Sequence, residues 1–243
     1  MGTTPDLVLR YADHGDGILD VHRPPGPVRG VVVLLHGGFW RSIWDRTHIR
    51  PMAAALAVDG WLVVTPEYRR AGAGGGWPMT FDDVTRAAGS ARALLAEAGA
   101  AVADTVPTVL VGHSAGGHLA LWLATRPETA DVVDRVVALA PVGDLDRAWA
   151  DGTGDTAIAD FLGRPLPEAD PALLLRERAP TVPVVVLHGA LDDEVPVDNS
   201  AWAKAVADVD LRVLPDVEHY GLITPTAPVW PTVAAAIGEG APR

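Results

Sequence analysis

The sequence predicts a single α/β domain, residues 1–243, in which a mostly parallel sheet of about eight strands carries helices on both faces. Three observations lead to this class. Continuous apolar runs, typical of strands covered on both faces, recur along the chain. Helical patterns lie between most of these runs, as in a parallel sheet with crossover helices. The length of 243 residues, 49% of them hydrophobic, is sufficient for one such core.

Eight segments have the composition of strands and are bounded by turn residues. They cover residues 7–11, 18–22, 31–35, 61–65, 108–111, 132–140, 184–187 and 211–214. The first two flank a turn-rich segment at residues 13–17, which indicates an antiparallel hairpin. Because most of the others are continuous apolar runs, we expect them to lie inside the sheet with both faces covered.

Helical patterns lie between the strands, at about residues 47–58, 80–99, 119–125, 198–208 and 229–237. Thr80, with acidic residues just behind it, is the expected N-cap of the second helix. Asp198 or Asn199 can cap the fourth helix. Residues 147–178 have weak periodicity with scattered Gly, Pro and Asp, and we predict that they form a small cap-like insertion over the sheet.

Composition and charge limit the compartment and the partners. A net charge of −12 without clusters of Lys and Arg argues against nucleic acid or a membrane surface as a partner. No apolar run approaches the roughly 20 residues of a bilayer span, and the first residues lack the features of a secretory signal. We therefore expect a soluble, cytoplasmic protein with a small-molecule partner. The sequence leaves the oligomeric state open, a homodimer included.

The most informative stretch is residues 109–118, where a predicted strand meets a Gly-x-Ser-x-Gly pattern and then a helix. This order is typical of a nucleophile elbow, and it makes Ser114 the candidate nucleophile. Gly112 and Gly116 remove side chains that would clash with the neighbouring strand and helix. The N–H of Ala115 lies at the helix N-terminus, where an anion is favoured. A turn that merely connects the strand to the helix is the alternative.

The loop His36-Gly37-Gly38-Phe39-Trp40 follows the apolar run at residues 31–35. Its glycines allow the main chain to approach a bound group, so the N–H groups of Gly37 and Gly38 can join that of Ala115 in an oxyanion hole. A strand-ending turn without this role is the alternative. Several aromatic and His side chains are candidates for substrate binding or for core packing: Phe39, Trp40, Trp77, His118 and Tyr220.

A serine hydroxyl needs a base within hydrogen-bond reach and a carboxylate that orients the base. His219 is the only one of the eight histidines that follows the candidate acid, Asp192. The chain order Ser114, Asp192, His219 is that of the α/β-hydrolases. Three other carboxylates remain candidates for the acid: Asp144, Asp193 and Glu194.

The other residues of these motifs favour structural roles. His36 and His188 end predicted strands, and we expect them to stabilise loops by hydrogen bonds. His113, beside the serine, is expected to pack. Because the sequence contains no Cys, thiolate catalysis and cysteine-bound metals are excluded. The acidic loop lacks a matching set of carboxylates or a His-x-x-x-His pair, so we expect no metal site.

Together, the motifs at residues 36–40, 112–118 and 189–196 resemble the α/β-hydrolase superfamily, and the similarity extends from about residue 31 to residue 219. The His-Gly-Gly-x-Trp loop resembles the kynurenine formamidase (arylformamidase) and small carboxylesterase branch. This loop also occurs in related carboxylesterases and in peptidase-like hydrolases. The resemblance implies the α/β-hydrolase fold.

The same resemblance implies a serine hydrolase that cleaves a small carboxylic ester or an aryl formamide through an acyl-enzyme on Ser114, without a cofactor. His219 would take the serine proton, and water activated by the same residue would release the acid. A non-catalytic ligand-binding protein on the same fold is the alternative from another class. A peptidase or an acyltransferase of the same superfamily is the alternative among enzymes.

Overall fold

In the computed structural model, which describes residues 2–240, eight strands form one sheet in the order β1-β2-β4-β3-β5-β6-β7-β8. The strands are β1 Leu7–Arg10, β2 Ile18–His22, β3 Gly30–Leu35, β4 Trp61–Pro66, β5 Thr108–His113, β6 Arg135–Leu139, β7 Val184–Gly189 and β8 Val209–Leu214. β2 pairs antiparallel with both β1 and β4, and the pairs from β4 to β8 are parallel. The predicted hairpin and the mostly parallel sheet are therefore confirmed.

The described chain forms seven α-helices: α1 Arg50–Val58, α2 Met79–Glu97, α3 Ala115–Ala124, α4 Leu145–Ala150, α5 Ala157–Leu162, α6 Pro171–Glu177 and α7 Trp230–Gly238. Strand β3 shows why they cover both faces, because its side chains alternate between two cores. Val31, Val33 and Leu35 pack in the core under α2 and α3, whereas Val32 and Leu34 pack under α1 and α7. Both faces of this continuous apolar strand are thus buried.

Two predicted helix caps are wrong, because both side chains make tertiary contacts. The Asn199 amide bonds across to the backbone, accepting from the N–H of Gly143 at 2.7 Å and donating to the carbonyl of Asp144 at 2.9 Å. The predicted helix at residues 198–208 is a 3₁₀-helix, Val197–Ala205, without a side-chain cap. Thr80 lies inside α2, and its hydroxyl donates to the carbonyl of Arg69.

The carboxyl ends of the parallel strands lie at one edge of the sheet, where ligands of such sheets bind. Ser114 follows β5, Asp192 follows β7 and His219 follows β8. The region predicted as an insertion folds mainly as α4, α5 and α6, and Phe161 of α5 stacks on Trp40 behind the same edge. Across residues 2–240, no helix combines the length and the apolar character that a membrane crossing requires.

Candidate active site

Ser114 lies at the tip of a tight turn between β5 and α3, with φ 55° and ψ −117°. This conformation is uncommon for a residue with a side chain and needs support from the surrounding structure. Its N–H donates to the carbonyl of Leu139 at 2.9 Å, and its carbonyl accepts from the N–H of His118 at 3.0 Å. The strand β6 and the helix α3 therefore hold the turn from both sides.

The two glycines of the Ser114 turn are required by close backbone contacts. A Cβ on Gly112 would lie 2.1 Å from the carbonyl oxygen of Gly116. A Cβ on Gly116 would lie 2.3 Å from the carbonyl oxygen of Leu35. Because neither distance is possible for a real side chain, the strand-turn-helix geometry depends on glycine at both positions. The steric interpretation of the motif agrees with the structure.

The loop after β3 presents its main chain to Ser114. A Cβ on Gly37 would lie 3.0 Å from the Cβ of Ser114, a tight contact, so the glycine lets the two segments approach closely. Gly38, Phe39 and Trp40 all have positive φ angles, of 109°, 50° and 55°. The buried Trp40 ring anchors the strained loop by stacking on Phe161, with ring centroids 4.8 Å apart.

Two backbone donors lie near Ser114, one in the glycine loop and one in the next residue. Among residues 2–240, the N–H groups of Gly38 and Ala115 form no hydrogen bond with a backbone acceptor. That of Ala115 is free because it belongs to the first turn of α3. Donors left open in this way, beside a serine, can stabilise a negatively charged oxygen.

His36 fixes the base of this loop through a buried ion pair. Its Nδ1 donates to the carbonyl of Gly37 and its Nε2 donates to Glu67 Oε1, both at 2.8 Å. Burial would raise the pKa of Glu67, but the hydrogen bond and charge of His36 outweigh it and lower the pKa. Both nitrogens of the His36 ring therefore have a protein acceptor. The predicted loop-stabilising role of His36 is confirmed.

His219 and Asp192 form a second pair. Nδ1 of His219 donates to Asp192 Oδ2 at 2.7 Å, while Oδ1 accepts from the N–H of Val195 at 2.8 Å. His188 Nε2 lies 3.3 Å from the same Oδ2, and it also donates to the carbonyl of Val195 at 2.8 Å. Burial would raise the pKa of Asp192, but the hydrogen bonds from His188 and His219 hold it well below its ordinary value. Asp192 is therefore ionised and oriented.

His113 supports His219 from below. Its Nε2 donates to the carbonyl of His219 at 3.2 Å, and the two rings lie 4.6 Å apart. Complete burial, together with the nearby His219, lowers the pKa of His113 well below its ordinary value, so it acts as a neutral donor. His113 also lines the cavity beside the serine, although the sequence predicted only packing for it.

Ser114 and His219 line one cavity of about 270 Å³. Within residues 2–240, Nε2 of His219 has no hydrogen-bond partner, so it is available to a group in this cavity. Among the predicted residues, Gly38, Phe39 and Tyr220 also line the cavity. Of the four candidate acids, Asp192 is the one paired with His219.

The structure corrects the predicted substrate contacts of three residues. Trp40 and His118 are buried, and His118 Nε2 donates to the carbonyl of Ala169 at 2.8 Å. Burial lowers the pKa of His118 to about 4. The Trp77 ring packs on Phe81, with centroids 4.8 Å apart. All three therefore pack behind the cavity wall, because large aromatic surfaces gain more from the core than from the rim.

Trp44 and the candidate acid Glu194 line the cavity, together with four residues that were not predicted from the sequence: Arg41, His48, Gly154 and Asp155. They come from loops whose folding depends on tertiary contacts. Arg41 illustrates this dependence, because its guanidinium donates to the carbonyl of Gly154 at 3.0 Å across a large sequence separation. The position of His48 shortly after the glycine loop was the sequence feature that could have indicated its place in the cavity wall.

Comparisons with known proteins identify the family of this chain. The BD-FAE family matches residues 19–206. The chain is 28% identical over 219 residues to the probable carboxylic ester hydrolase LipM of Mycobacterium tuberculosis, covering 79% of this chain but only 49% of LipM. It is 27% identical over 246 residues to a monoacylglycerol lipase of Mycolicibacterium smegmatis, covering 83% and 85% of the two chains.

Solved structures show the same fold. A putative thioesterase from a Silicibacter species superposes with a TM-score of 0.75 at 24% identity, over 96% of this chain and 86% of that one. Esterase 2 of Thermogutta terrifontis, with propionate bound, superposes with a TM-score of 0.73 at 20% identity, over 98% and 93%. At these identities the likeness concerns the fold, which is that of the α/β-hydrolases.

Proposed function

The chain belongs to the BD-FAE family and has an α/β-hydrolase fold, and on this premise we propose that it is a serine hydrolase of carboxylic esters. The observation that carries the proposal is the state of His219. One ring nitrogen is held by an ionised Asp192 at 2.7 Å, and the other has no partner in the described chain and shares a cavity with Ser114. A base prepared in this way can activate a serine hydroxyl.

In the proposed first step, Nε2 of His219 accepts the proton of Ser114 Oγ as Oγ attacks the ester carbonyl carbon. The carbonyl oxygen becomes an oxyanion, which accepts hydrogen bonds from the N–H of Ala115 and from the loop of Gly37 and Gly38. The imidazolium of His219 then donates its proton to the leaving alcohol oxygen. The C–O bond breaks and the acyl group stays on Ser114.

In the second step, water replaces the alcohol. His219 removes a proton from the water as its oxygen attacks the acyl carbon, and the same donors bind the second oxyanion. Collapse of this intermediate returns the proton to Ser114 Oγ and releases the carboxylic acid. Asp192 stays ionised and stabilises the imidazolium in both steps. The proposed cycle uses side chains, backbone amides and water.

Esters are the preferred substrate class in this proposal because both curated relatives carry the names of ester hydrolases. The aryl formamide remains a second candidate, since the loop His36-Gly37-Gly38-Phe39-Trp40 resembles that of the arylformamidases. The same attack on a formamide carbonyl would release an aryl amine in place of an alcohol. The two reactions differ in the leaving group and use the same proposed catalytic residues.

The test compares turnover of nitrophenyl acetate and N-formylkynurenine by the purified protein and by the Ser114→Ala variant. We expect Ser114→Ala to lower kcat on the ester by roughly a million-fold, as for other serine nucleophiles. Ser90→Ala, a matched change on α2 away from the cavity, is expected to keep the wild-type rate. Retained activity in Ser114→Ala would overturn the proposal. Activity on the ester alone would remove the formamidase candidate.

A further inference from the structure

A second cavity, which we call the apolar groove, lies beside the Ser114 cavity and has a volume of about 680 Å³. One wall is the surface of α1 at Pro51, Ala54 and Ala55. The other wall is the segment after His219, at Ile223 and Pro225. The groove thus runs between the first helix and the loop that carries the catalytic base.

The groove and the catalytic cavity are adjacent. Trp44, His48 and Tyr220 line both of them. Trp44 is 48% exposed and Tyr220 is 54% exposed, so these rings form an open rim and not a closed partition. A molecule bound at Ser114 can therefore extend past this rim into the groove.

The chemistry of the walls differs between the two cavities. Arg41, Asp155 and Glu194 bring charge to the catalytic cavity. In the described chain, the groove is lined by alkyl, proline, aromatic and threonine side chains together with His48. Burial lowers the pKa of His48, and nearby His36 adds to this effect, so His48 is uncharged at neutral pH. The groove therefore favours an apolar group that needs no hydrogen-bond partner.

The position of the groove indicates which half of an ester it receives. In the proposed mechanism, His219 must reach the leaving oxygen, and the groove wall begins at the next residue, Tyr220. Two other residues of the catalytic cavity wall, Phe39 and Gly154, pack closely, since a Cβ on Gly154 would lie 2.6 Å from the Phe39 ring. That cavity of about 270 Å³ is at the lower limit for a ligand site, so the acyl half must be short.

Resting on the proposed function, we propose that the apolar groove binds the alcohol half of the substrate, which is an ester of a short acyl group with a long apolar alcohol. The alkyl chain of the alcohol lies between α1 and the segment at residues 223–226. Trp44 and Tyr220 contact the carbons nearest the ester oxygen. Each methylene that the groove buries strengthens binding.

The test uses octyl acetate and ethyl octanoate, which are isomers with the long chain on opposite sides of the ester. Ethyl acetate is the reference substrate that needs no groove. We expect kcat/KM for octyl acetate to exceed that for ethyl octanoate by about tenfold or more. Equal values, or a preference for ethyl octanoate, would overturn the proposal. Failure to hydrolyse even ethyl acetate would overturn the proposed function and this inference with it.

A variant that fills the groove gives an independent readout. Ala55→Phe places a ring in the groove, and we expect the ratio of kcat/KM for octyl acetate to that for ethyl acetate to fall about tenfold. Ala93→Phe, a matched change at an exposed position of α2, should leave this ratio unchanged. An unchanged ratio in Ala55→Phe would contradict the proposed path of the alcohol chain.

Discussion

Among residues 2–240, the two shortest His–carboxylate contacts at the carboxyl edge of the sheet have nearly equal lengths, 2.8 Å for His36–Glu67 and 2.7 Å for His219–Asp192. All four side chains are buried. The pairs differ in the second ring nitrogen of each histidine. That of His36 donates to the carbonyl of Gly37, whereas that of His219 has no partner within residues 2–240.

A short contact between a histidine and a carboxylate therefore does not by itself identify a catalytic base. When both ring nitrogens have protein partners, as in His36, the ring fixes the backbone and has no site left for a substrate. When one nitrogen is held and the other faces a cavity, as in His219, the ring is oriented for proton transfer. The first pair thus shapes the loop of the proposed oxyanion hole, and the second supplies the proposed base.

The largest expected effect is on the second pair. Asp192→Asn keeps the shape of the side chain but no longer stabilises the imidazolium or fixes the tautomer of His219. We expect kcat on nitrophenyl acetate to fall about ten-thousand-fold while the protein stays folded, which circular dichroism would check. Asp193→Asn, at the exposed neighbouring position, is the matched control and should retain activity. A tenfold loss or less in Asp192→Asn would place the catalytic acid elsewhere.

A smaller effect, on stability and not on chemistry, is expected for the first pair. Glu67→Gln leaves the buried His36 without its counter-ion, and also weakens the contact with Arg46 at 3.7 Å. We expect the free energy of unfolding in urea to fall by about 3 to 5 kcal/mol at pH 7. Glu97→Gln, at the exposed end of α2, should change it little. If Glu67→Gln were as stable as the wild type, the ion pair would not be what holds the loop.

The dependence on pH separates this ion pair from simple packing. The pKa of Glu67 is lowered in the folded protein, so its stabilising contribution is complete above the ordinary value of about 4.3 and is lost as the pH falls below it. We therefore compare the gap in unfolding free energy between the wild type and Glu67→Gln at about pH 5 with the gap at lower pH, where the Glu67 carboxyl becomes protonated. The gap should narrow in more acid solution. A gap that stays constant down to pH 3 would contradict the ionic origin.

The sequence predicted the sheet, its hairpin and the Ser114 turn because each depends on local rules. Gly112 is required by a backbone contact with Gly116 in the same turn, and the chain order of Ser114, Asp192 and His219 follows from the strands that precede them. The sequence alone could therefore indicate that Ser114, Asp192 and His219 lie at the same edge of the sheet.

The sequence did not predict the contacts that depend on tertiary packing. The hydrogen bond between His36 and Glu67 is one such contact. Both residues directly follow neighbouring parallel strands, β3 and β4, so their positions could have indicated that the two side chains meet. The aromatic ring of Trp40 could equally have lined a pocket or filled the core. The packing of Phe161, from a region of weak periodicity, and of His118 buries this ring.

The most direct test of the central claim is labelling with a fluorophosphonate, followed by peptide mass mapping. We predict one covalent adduct, located on Ser114, because this is the serine that shares a cavity with the free nitrogen of His219. Labelling should be lost in Ser114→Ala and strongly slowed in His219→Ala. An unlabelled wild-type protein, or an adduct on a serine other than Ser114, would contradict the account.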